Sequence, residues 1–336
     1  MIRLRVSVAV VLAVLAVSGQ VIEPISRNSI NAAETRSRAV ASPPPQGNVL
    51  PLTGPYLGQT PPGRRPEVFA PAVVSTGDRD IVHASIAVSP DGAEIVWSFF
   101  HESDRTFRTW WSRRVNGRWT APGRPPFASG GDAASLSFAP DGRRLFFTSN
   151  RRWPAGQGAW PGPRALDAQK IWYIERAGTR WSDPRMLDLP VVQRPLSVSP
   201  AASGALYTAG IRRIPVVGGG YGTPERLPPP LHNKGWYGGN HPFVAPDESY
   251  IVFNDVWRGH QGYGIFVSYR LPSGGWSDPV NLCEILGMQR GGSEPTVSPD
   301  GRYLLFYSDH NVYWVDASVI EERRPVVRTP GFEEAR

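Results

Sequence analysis

Ser89-Pro90-Asp91-Gly92, followed by Ala93-Glu94-Ile95-Val96-Trp97-Ser98, is the stretch whose reading decides the fold. It returns as Ala139-Pro140-Asp141-Gly142 before Arg143-Arg144-Leu145-Phe146-Phe147-Thr148-Ser149. It returns again as Ser298-Pro299-Asp300-Gly301 before Arg302-Tyr303-Leu304-Leu305-Phe306-Tyr307-Ser308. Two worn copies lie between, Ser199-Pro200-Ala201-Ala202 and Ala245-Pro246-Asp247-Glu248. Pro presets the first corner of a turn, Asp supplies a side-chain acceptor and Gly accepts the left-handed torsion. Asp91, Asp141, Asp247 and Asp300 therefore read as turn formers, not as a catalytic set. The marker prolines are 50, 60, 46 and 53 residues apart. That is the length of a four-stranded propeller blade, roughly 40–50 residues plus loops.

Each unit carries the same further parts. A short strand precedes the turn, and an aromatic strand follows it. A third strand is seen in Lys170-Ile171-Trp172-Tyr173-Ile174-Glu175 and in Asn311-Val312-Tyr313-Trp314-Val315-Asp316. A Gly turn then leads to an expected fourth strand at Gly117-Arg118-Trp119-Thr120, Thr179-Arg180-Trp181-Ser182, Gly220-Tyr221-Gly222 and Gly275-Trp276-Ser277. The last unit stops after its third strand, near Ile320, whereas a loose segment from Pro66 to Val74 precedes the first. Pairing that segment with the last unit closes the ring and covers both free edges. The expectation is an all-β propeller of five four-stranded antiparallel blades, closed by an N-terminal strand. A sixth blade would have to lie in the 60-residue gap or before residue 66, with no turn phrase to mark it.

Composition agrees. Of 336 residues, 35 are Gly and 35 Pro, and only 19% are charged, which suits short strands and turns. The net charge is +7, yet only Lys170 and Lys234 are lysines and Arg is spread through every segment, so no nucleic-acid footprint is expected. Cys283 is the single cysteine, which excludes an intrachain disulfide and a paired-Cys zinc site. Its neighbours Leu282, Ile285 and Leu286 point to a buried, inert thiol.

Residues 1–19 read as a signal peptide, with Arg3 and Arg5 before the apolar run Val6 to Val17. That run falls short of the roughly 20 residues a membrane span needs; an uncleaved anchor is the alternative. No lipobox-type Cys follows. Residues 20–62, with Ser42-Pro43-Pro44-Pro45 and Thr60-Pro61-Pro62-Gly63, read as a Pro-rich, disordered linker. The propeller is expected over 63–320 and a C-terminal tail over 321–336. No further spanning segment is expected, and the mature chain should be periplasmic or secreted.

The Ser-Pro-Asp-Gly turns with their aromatic strands resemble the TolB-type, WD-like β-propeller repeat over residues 60–320. The closing Tyr313-Trp314-Val315-Asp316-Ala317 and the lead-in from Pro61 to Pro71 resemble bacterial exported proteins with this repeat. The resemblance implies a propeller that binds peptides or proteins at a channel mouth. Related propellers accompany peptidase domains and some sugar-active lyases. The segment 20–62 is too short and too Pro-rich for the separate N-terminal α/β domain of TolB.

Strand direction selects a face. The start of strand one and the loop after strand two open on one side of the disc; the Ser-Pro-Asp-Gly turns open on the other, which is expected to be inert. Five residues before each marker proline stand Ser85, Ser135, Pro195, His241 and Glu294; Arg194 and Asn240 stand six before, and His83 seven before. The strand-two loops add His101, Asp255, Asp309 and His310, and the insertion from Arg151 to Gln169 carries Trp153 and Trp160. The expected binding set is therefore His83, His101, Arg151, Trp153, Trp160, Arg194, Asn240, His241, Asp255, Glu294 and His310. Loops clustered at one end of a rigid scaffold are where binding usually lives; the plainer reading is that such polar strand ends simply meet water. Recurring Trp119, Trp181 and Trp276 should pack between blades. Trp110-Trp111, Trp236-Tyr237 and Trp257 do not recur and are better candidates for stacking on a ligand.

Catalytic motifs are missing: no His-Glu-x-x-His, Gly-x-Ser-x-Gly or phosphate-cradling loop occurs. His83, His241, Glu294 and His310 could converge on a metal across the channel, but their spacing does not demand it. No metal and no cofactor are expected. The first reading is an exported, non-catalytic propeller that binds a peptide, protein or cell-envelope glycan at this mouth. The alternative is a glycan-active enzyme using Asp132, Asp255, Glu294 and Asp309. It requires two carboxyl groups about 5–5.5 Å or 6.5–9.5 Å apart. A propeller regulating a separate partner enzyme is a third reading.

Overall fold

The computed structural model describes residues 51–325, apart from 157–161, 163–168, 190–195, 232–238, 257–262 and 290. The expected signal peptide, most of the linker, Trp160, Arg194, Trp236-Tyr237, Trp257 and the end of the tail lie outside the described residues. Five four-stranded antiparallel sheets form the blades. Blade I comprises Ile81–Val88, Glu94–His101, Thr106–Val115 and Arg118–Trp119. Blade II comprises Ala134–Phe138, Arg144–Ser149, Lys170–Ala177 and Arg185–Met186. Blade III comprises Val198–Pro200, Leu206–Thr208, Arg212–Ile214 and Glu225–Arg226. Blade IV comprises Asn240–Val244, Tyr250–Val256, Tyr263–Tyr269 and Val280–Asn281. Blade V comprises Ser293–Val297, Tyr303–Ser308 and Asn311–Asp316, completed by Glu67–Val68.

The closing strand lies antiparallel to the last, with Glu67 opposite Trp314 and Val68 opposite Tyr313. Each inner strand touches the next around the ring, and that of blade V returns to that of blade I. The expected five-bladed propeller and its N-terminal closure are both present.

The turn phrase works as its chemistry requires. Ser89 Oγ donates to Asp91 Oδ1 at 2.5 Å, and Asp91 Oδ1 also accepts from Ala93 N at 3.0 Å. Ser298 and Asp300 repeat this, with Ser298 Oγ donating at 2.6 Å and Arg302 N at 3.2 Å. Gly92, Gly142 and Gly301 hold φ of +63°, +70° and +72°, torsions that glycine adopts without steric cost.

The outer strands differ from expectation. In blades II and III the Gly turn makes only a short hairpin, Arg180–Trp181 against Arg176 and Ala177, and Gly220–Tyr221 against Val216 and Val217. In blade IV it makes a single bridge, Arg270 with Trp276. The fourth strand begins only afterwards, at Arg185–Met186, Glu225–Arg226 and Val280–Asn281. Pro184, Pro224 and Pro279 explain the delay, because proline offers no N–H to the ladder and pairing resumes once it has passed.

The apolar core is divided into five wedges, one per blade interface. Trp97, Trp119, Leu305 and Trp314 belong to the wedge between blades V and I. Phe138, Phe147 and Trp172 pack with Ala87 and Val96 between I and II. Among the described residues, Phe146, Ile171, Val198, Leu206 and Ile214 form the smallest buried cluster, between II and III. Tyr207, Phe253, Phe266 and Trp276 lie between III and IV, and Val267, Leu282, Cys283 and Val315 between IV and V. The three recurring tryptophans are inter-blade residues, as expected; Trp181 Nε1 donates across the interface to Glu94 at 3.1 Å.

The linker boundary also moves. Residues 51–62 were expected to be disordered, yet Leu57 is fully buried, and Trp119 Nε1 donates to Gly54 O at 2.8 Å. Tyr56 meets Tyr303 edge-on, with centroids 5.0 Å apart. Apolar side chains at Leu52, Tyr56 and Leu57 supply the anchor that the prolines conceal. At the other end the fold continues past 320. Ser318–Glu321 is a short helix, and Arg324 lies 5.0 Å over the Tyr269 ring.

Candidate functional site

The inner strands of blades I, II, IV and V each contain a bulge where the ladder shifts register. In blades II, IV and V two residues oppose one across the shift: Ser135-Leu136, His241-Pro242 and Glu294-Pro295. Ser135, His241 and Glu294 hold φ of +47°, +46° and +49°. These are the residues counted five back from the marker prolines. Left-handed torsions are uncommon for residues other than Gly, Asn and Asp and persist only where the surroundings fix them. A bulge takes a side chain out of the ordinary strand alternation. In blade I the shift falls earlier, between Ile81 and His83, and Ser85 lines the lumen with Ser135, His241 and Glu294.

The result is a trio from three blades. One ring nitrogen each of His83 and His241 and a carboxylate oxygen of Glu294 lie within 4.8 Å of one another. Glu294 Oε1 pairs directly with His83 Nε2 and lies 3.5 Å from His241 Nε2. The imidazole rings meet edge to face at 4.9 Å. His241 Nδ1 lies 3.0 Å from Asn254 Oδ1, an acceptor, so that nitrogen carries the proton and Nε2 presents its lone pair. Asn254 is itself buried.

The electrostatics follow from burial and from this pairing. Burial alone would raise Glu294, but the positive field of His83 and His241 holds its carboxyl below the ordinary range. Burial opposes charge on His83, and Glu294 outweighs it, so His83 titrates above a free imidazole. On His241 burial prevails, the Glu294 charge offsets it only in part, and the His83 charge adds to it, so His241 titrates below. Pairing thus favours the charged forms of His83 and Glu294, and burial favours the neutral form of His241.

Behind it the channel narrows to a lumen of about 30 Å³, lined among others by Ser85, Ser135, Ser197 and Ser199. Ser135 Oγ donates to Leu196 O at 2.7 Å, and Ser199 Oγ accepts from Val244 N at 2.9 Å. The hydroxyls of Ser85 and Ser197 are buried without a partner among the described residues. Ser85 and Ser135 fall at the position counted five back from the marker prolines, whereas nothing in the sequence marks Ser197 or Ser199 as lumen-facing.

The other expected site residues are engaged elsewhere. His101 Nδ1 lies 3.2 Å from Asp80 Oδ2 and 3.3 Å from Arg108 Nη1. Arg151 is buried in blade II, where it donates to Phe127 O at 2.8 Å and stacks 4.9 Å from the Phe147 centroid. Burial pushes its guanidinium down to about 10, with Asp132 partly restoring it. Trp153 packs on the wedge between blades I and II, with Lys170 Nζ 4.8 Å over its ring. Asn240 sits opposite Asn254 at the head of blade IV. His310 Nδ1 donates to Ile81 O at 2.8 Å, away from the trio with which it could have converged.

Among the carboxylates, Asp255 accepts from Gly239 N at 3.0 Å and Val256 N at 2.7 Å, a structural use that occupies both oxygens. Asp132 is raised by burial. Asp309 lies at φ +43° beyond strand two of blade V. Trp111 lines a pocket of about 550 Å³ with Arg113, Arg124, Phe127 and Trp181. That pocket lies on the rim between blades I and II, away from the mouth. The opposite mouth, expected to be inert, holds an apolar pocket of about 250 Å³ that all five marker prolines line: Pro90, Pro140, Pro200, Pro246 and Pro299.

No protein-family model and no curated protein matches this sequence. Among solved structures, TolB from Acinetobacter baumannii is similar over 69% of this chain and 54% of its own, at 15% identity and TM-score 0.38. A gluconolactonase from Xanthomonas campestris is similar over 78% of this chain and 97% of its own, at 11% identity and TM-score 0.42. A post-proline cleaving enzyme from Rickettsia typhi is similar over 68% and 34%, at 10% identity and TM-score 0.35. The chain thus spans little more than half of the TolB chain. Two of these three neighbours are enzymes by name, and the fold assignment rests on the sheet topology above. No helix among the described residues is long and apolar enough to cross a membrane.

Proposed function

We propose that this chain is an exported, non-catalytic propeller that holds a peptide, protein or cell-envelope glycan across the mouth formed by His83, His241 and Glu294. The observation that carries the reading is the convergence of these side chains from three blades, two of them on left-handed bulge residues. Such torsions are costly and recur at ligand clamps. A lumen of about 30 Å³ admits no polymer, so the ligand lies across the opening and not through it. Export is supported by Arg3, Arg5 and the apolar run from Val6 to Val17.

The two-carboxylate hydrolase is less well supported. Glu294 faces two imidazoles where a hydrolase would set a second carboxyl, and both oxygens of Asp255 serve backbone amides. The test is a glycan and peptide array probed with the purified chain and with His241→Ala and Glu294→Ala. A ligand held by the parent and lost by both variants supports the reading. Ligand retention in both variants would place binding elsewhere and refute this choice of face.

A further inference from the structure

The His83–His241–Glu294 trio has the donor set and spread of a metal site. Asn254 accepts the His241 Nδ1 proton at 3.0 Å, which leaves the Nε2 lone pair facing Glu294 Oε1 at 3.5 Å. Two electron-pair donors thus point at one another at a distance too long for a strong hydrogen bond. Around one ion with bonds of about 2.0–2.2 Å and tetrahedral angles, neighbouring ligand atoms are about 3.3 Å apart. The His241–Glu294 separation of 3.5 Å matches that spread, whereas His83 Nε2 sits closer to Glu294 as its direct ion-pair partner. The donor atoms of all three residues lie within 4.8 Å of one another, and His83 Nε2, which now pairs with Glu294, joins the same centre by giving up its proton as the ion enters.

A second observation lies just below. The buried hydroxyls of Ser85 and Ser197 have no partner among the described residues, and they line the lumen that continues from the trio. Buried polar groups of this kind are normally satisfied, often by ordered water. A lumen of about 30 Å³ holds such a water. Water bound to an ion at the trio could donate inward to these hydroxyls.

We propose that His83 Nε2, His241 Nε2 and the Glu294 carboxylate bind a divalent first-row transition ion of the zinc type, with a coordination position open to the mouth. Two imidazoles and one carboxylate suit zinc, cobalt, nickel, copper or ferrous iron. They do not suit calcium or magnesium, which require mostly oxygen ligands. Three protein ligands plus an open position is the arrangement of zinc sites that exchange a ligand. Asn254 is the positioning residue that fixes the His241 tautomer. This deepens the reading given above and rests on the same mouth being the working face, with the open position available to an oxygen of the bound polymer.

The experiment uses the full chain, stripped with a chelator and then dialysed against Zn²⁺ or Co²⁺. One ion per chain is expected by elemental analysis, with a visible Co²⁺ ligand-field band. His241→Ala and Glu294→Ala should abolish stoichiometric binding, and Asn254→Ala should weaken it about 10–100-fold. Should a variant fail to fold, ¹⁵N ring shifts in the parent chain decide. Zn²⁺ must move Nε2 of His83 and His241 and leave His310 in place. No stoichiometric binding, or ring resonances of His83 and His241 that do not move, would overturn the proposal. The polymer arrays are repeated with and without chelator. Equal polymer binding by metal-free protein, with no ion taken up, sinks the metal site and keeps the ligand reading. Ion uptake with no polymer bound does the reverse.

Discussion

Glu248 stands where the intact turn phrases carry Gly, and it holds φ +59°. For a residue with a side chain the left-handed torsion costs about 1–2 kcal/mol. Its carboxylate supplies the compensation: Glu248 Oε1 accepts from Tyr207 Oη at 2.5 Å and from Arg213 Nε at 2.9 Å, both on blade III. The worn turn is thus a tie between blades. Burial works to raise Glu248, but the hydrogen bonds from Tyr207 and Arg213 hold it below the ordinary carboxylate range. A depressed folded-state value stabilises the protein above the unfolded-state value, and that stabilisation is lost as pH falls through the folded one. Glu248→Gln should therefore cost about 1 kcal/mol near neutral pH, and the difference from the parent should vanish in acid. Urea melts at several pH values measure this. A difference that persists in acid would mean that the charge is not the cause.

At the scale of the element, the closing strand and the segment before it decide whether the ring holds. A chain beginning at Gly63 keeps Glu67–Val68 but loses the buried Leu57 and the Gly54 carbonyl that Trp119 uses. It should be less stable than one beginning at Pro51 by about 2–5 kcal/mol, the usual cost of emptying a buried leucine site. Thermal or denaturant melts of the two truncations give the answer, and equal midpoints would show that 51–62 only rests on the surface. The turn phrases and the closing strand were legible in the sequence because their chemistry is local: a proline, an acceptor and a glycine in four residues. The bulges at His241 and Glu294 were legible only as positions. The two-against-one count that makes a bulge belongs to a pair of strands, and no single strand displays it. The outer strands were misplaced for a related reason. The Gly turns at Thr179-Arg180 and Gly220-Tyr221 close hairpins correctly, but which chain reaches the blade edge depends on where the next proline interrupts pairing. Leu57 was hidden by composition, since a Pro-rich neighbourhood reads as extended whether or not an apolar side chain finds a cavity.

At the scale of the whole molecule, five wedges of unequal size make a ring of unequal strength. Among the described residues, the wedge between blades II and III rests on buried Phe146, Ile171, Val198, Leu206 and Ile214 with half-buried Tyr173, Leu187 and Tyr221 against them, whereas that between V and I adds the N-terminal anchor to a larger buried set. Local opening follows the least buried apolar contact. Amide exchange should therefore be fastest along the facing strands of II and III and slowest between V and I. Uniform protection around the ring would contradict this. His83, His241, Glu294 and His310 could be read from the sequence as facing one mouth, and the structure brings the first three together. Counting from the prolines cannot tell that His310 donates to the Ile81 carbonyl instead of facing the axis. The width of the lumen has one more consequence. At about 30 Å³ it is a partition, with imidazoles and a carboxylate on one side and five prolines around about 250 Å³ on the other. Nothing larger than water crosses it, so the disc has two ports that cannot compete for one guest. A ligand seated at one mouth therefore does not reach the other.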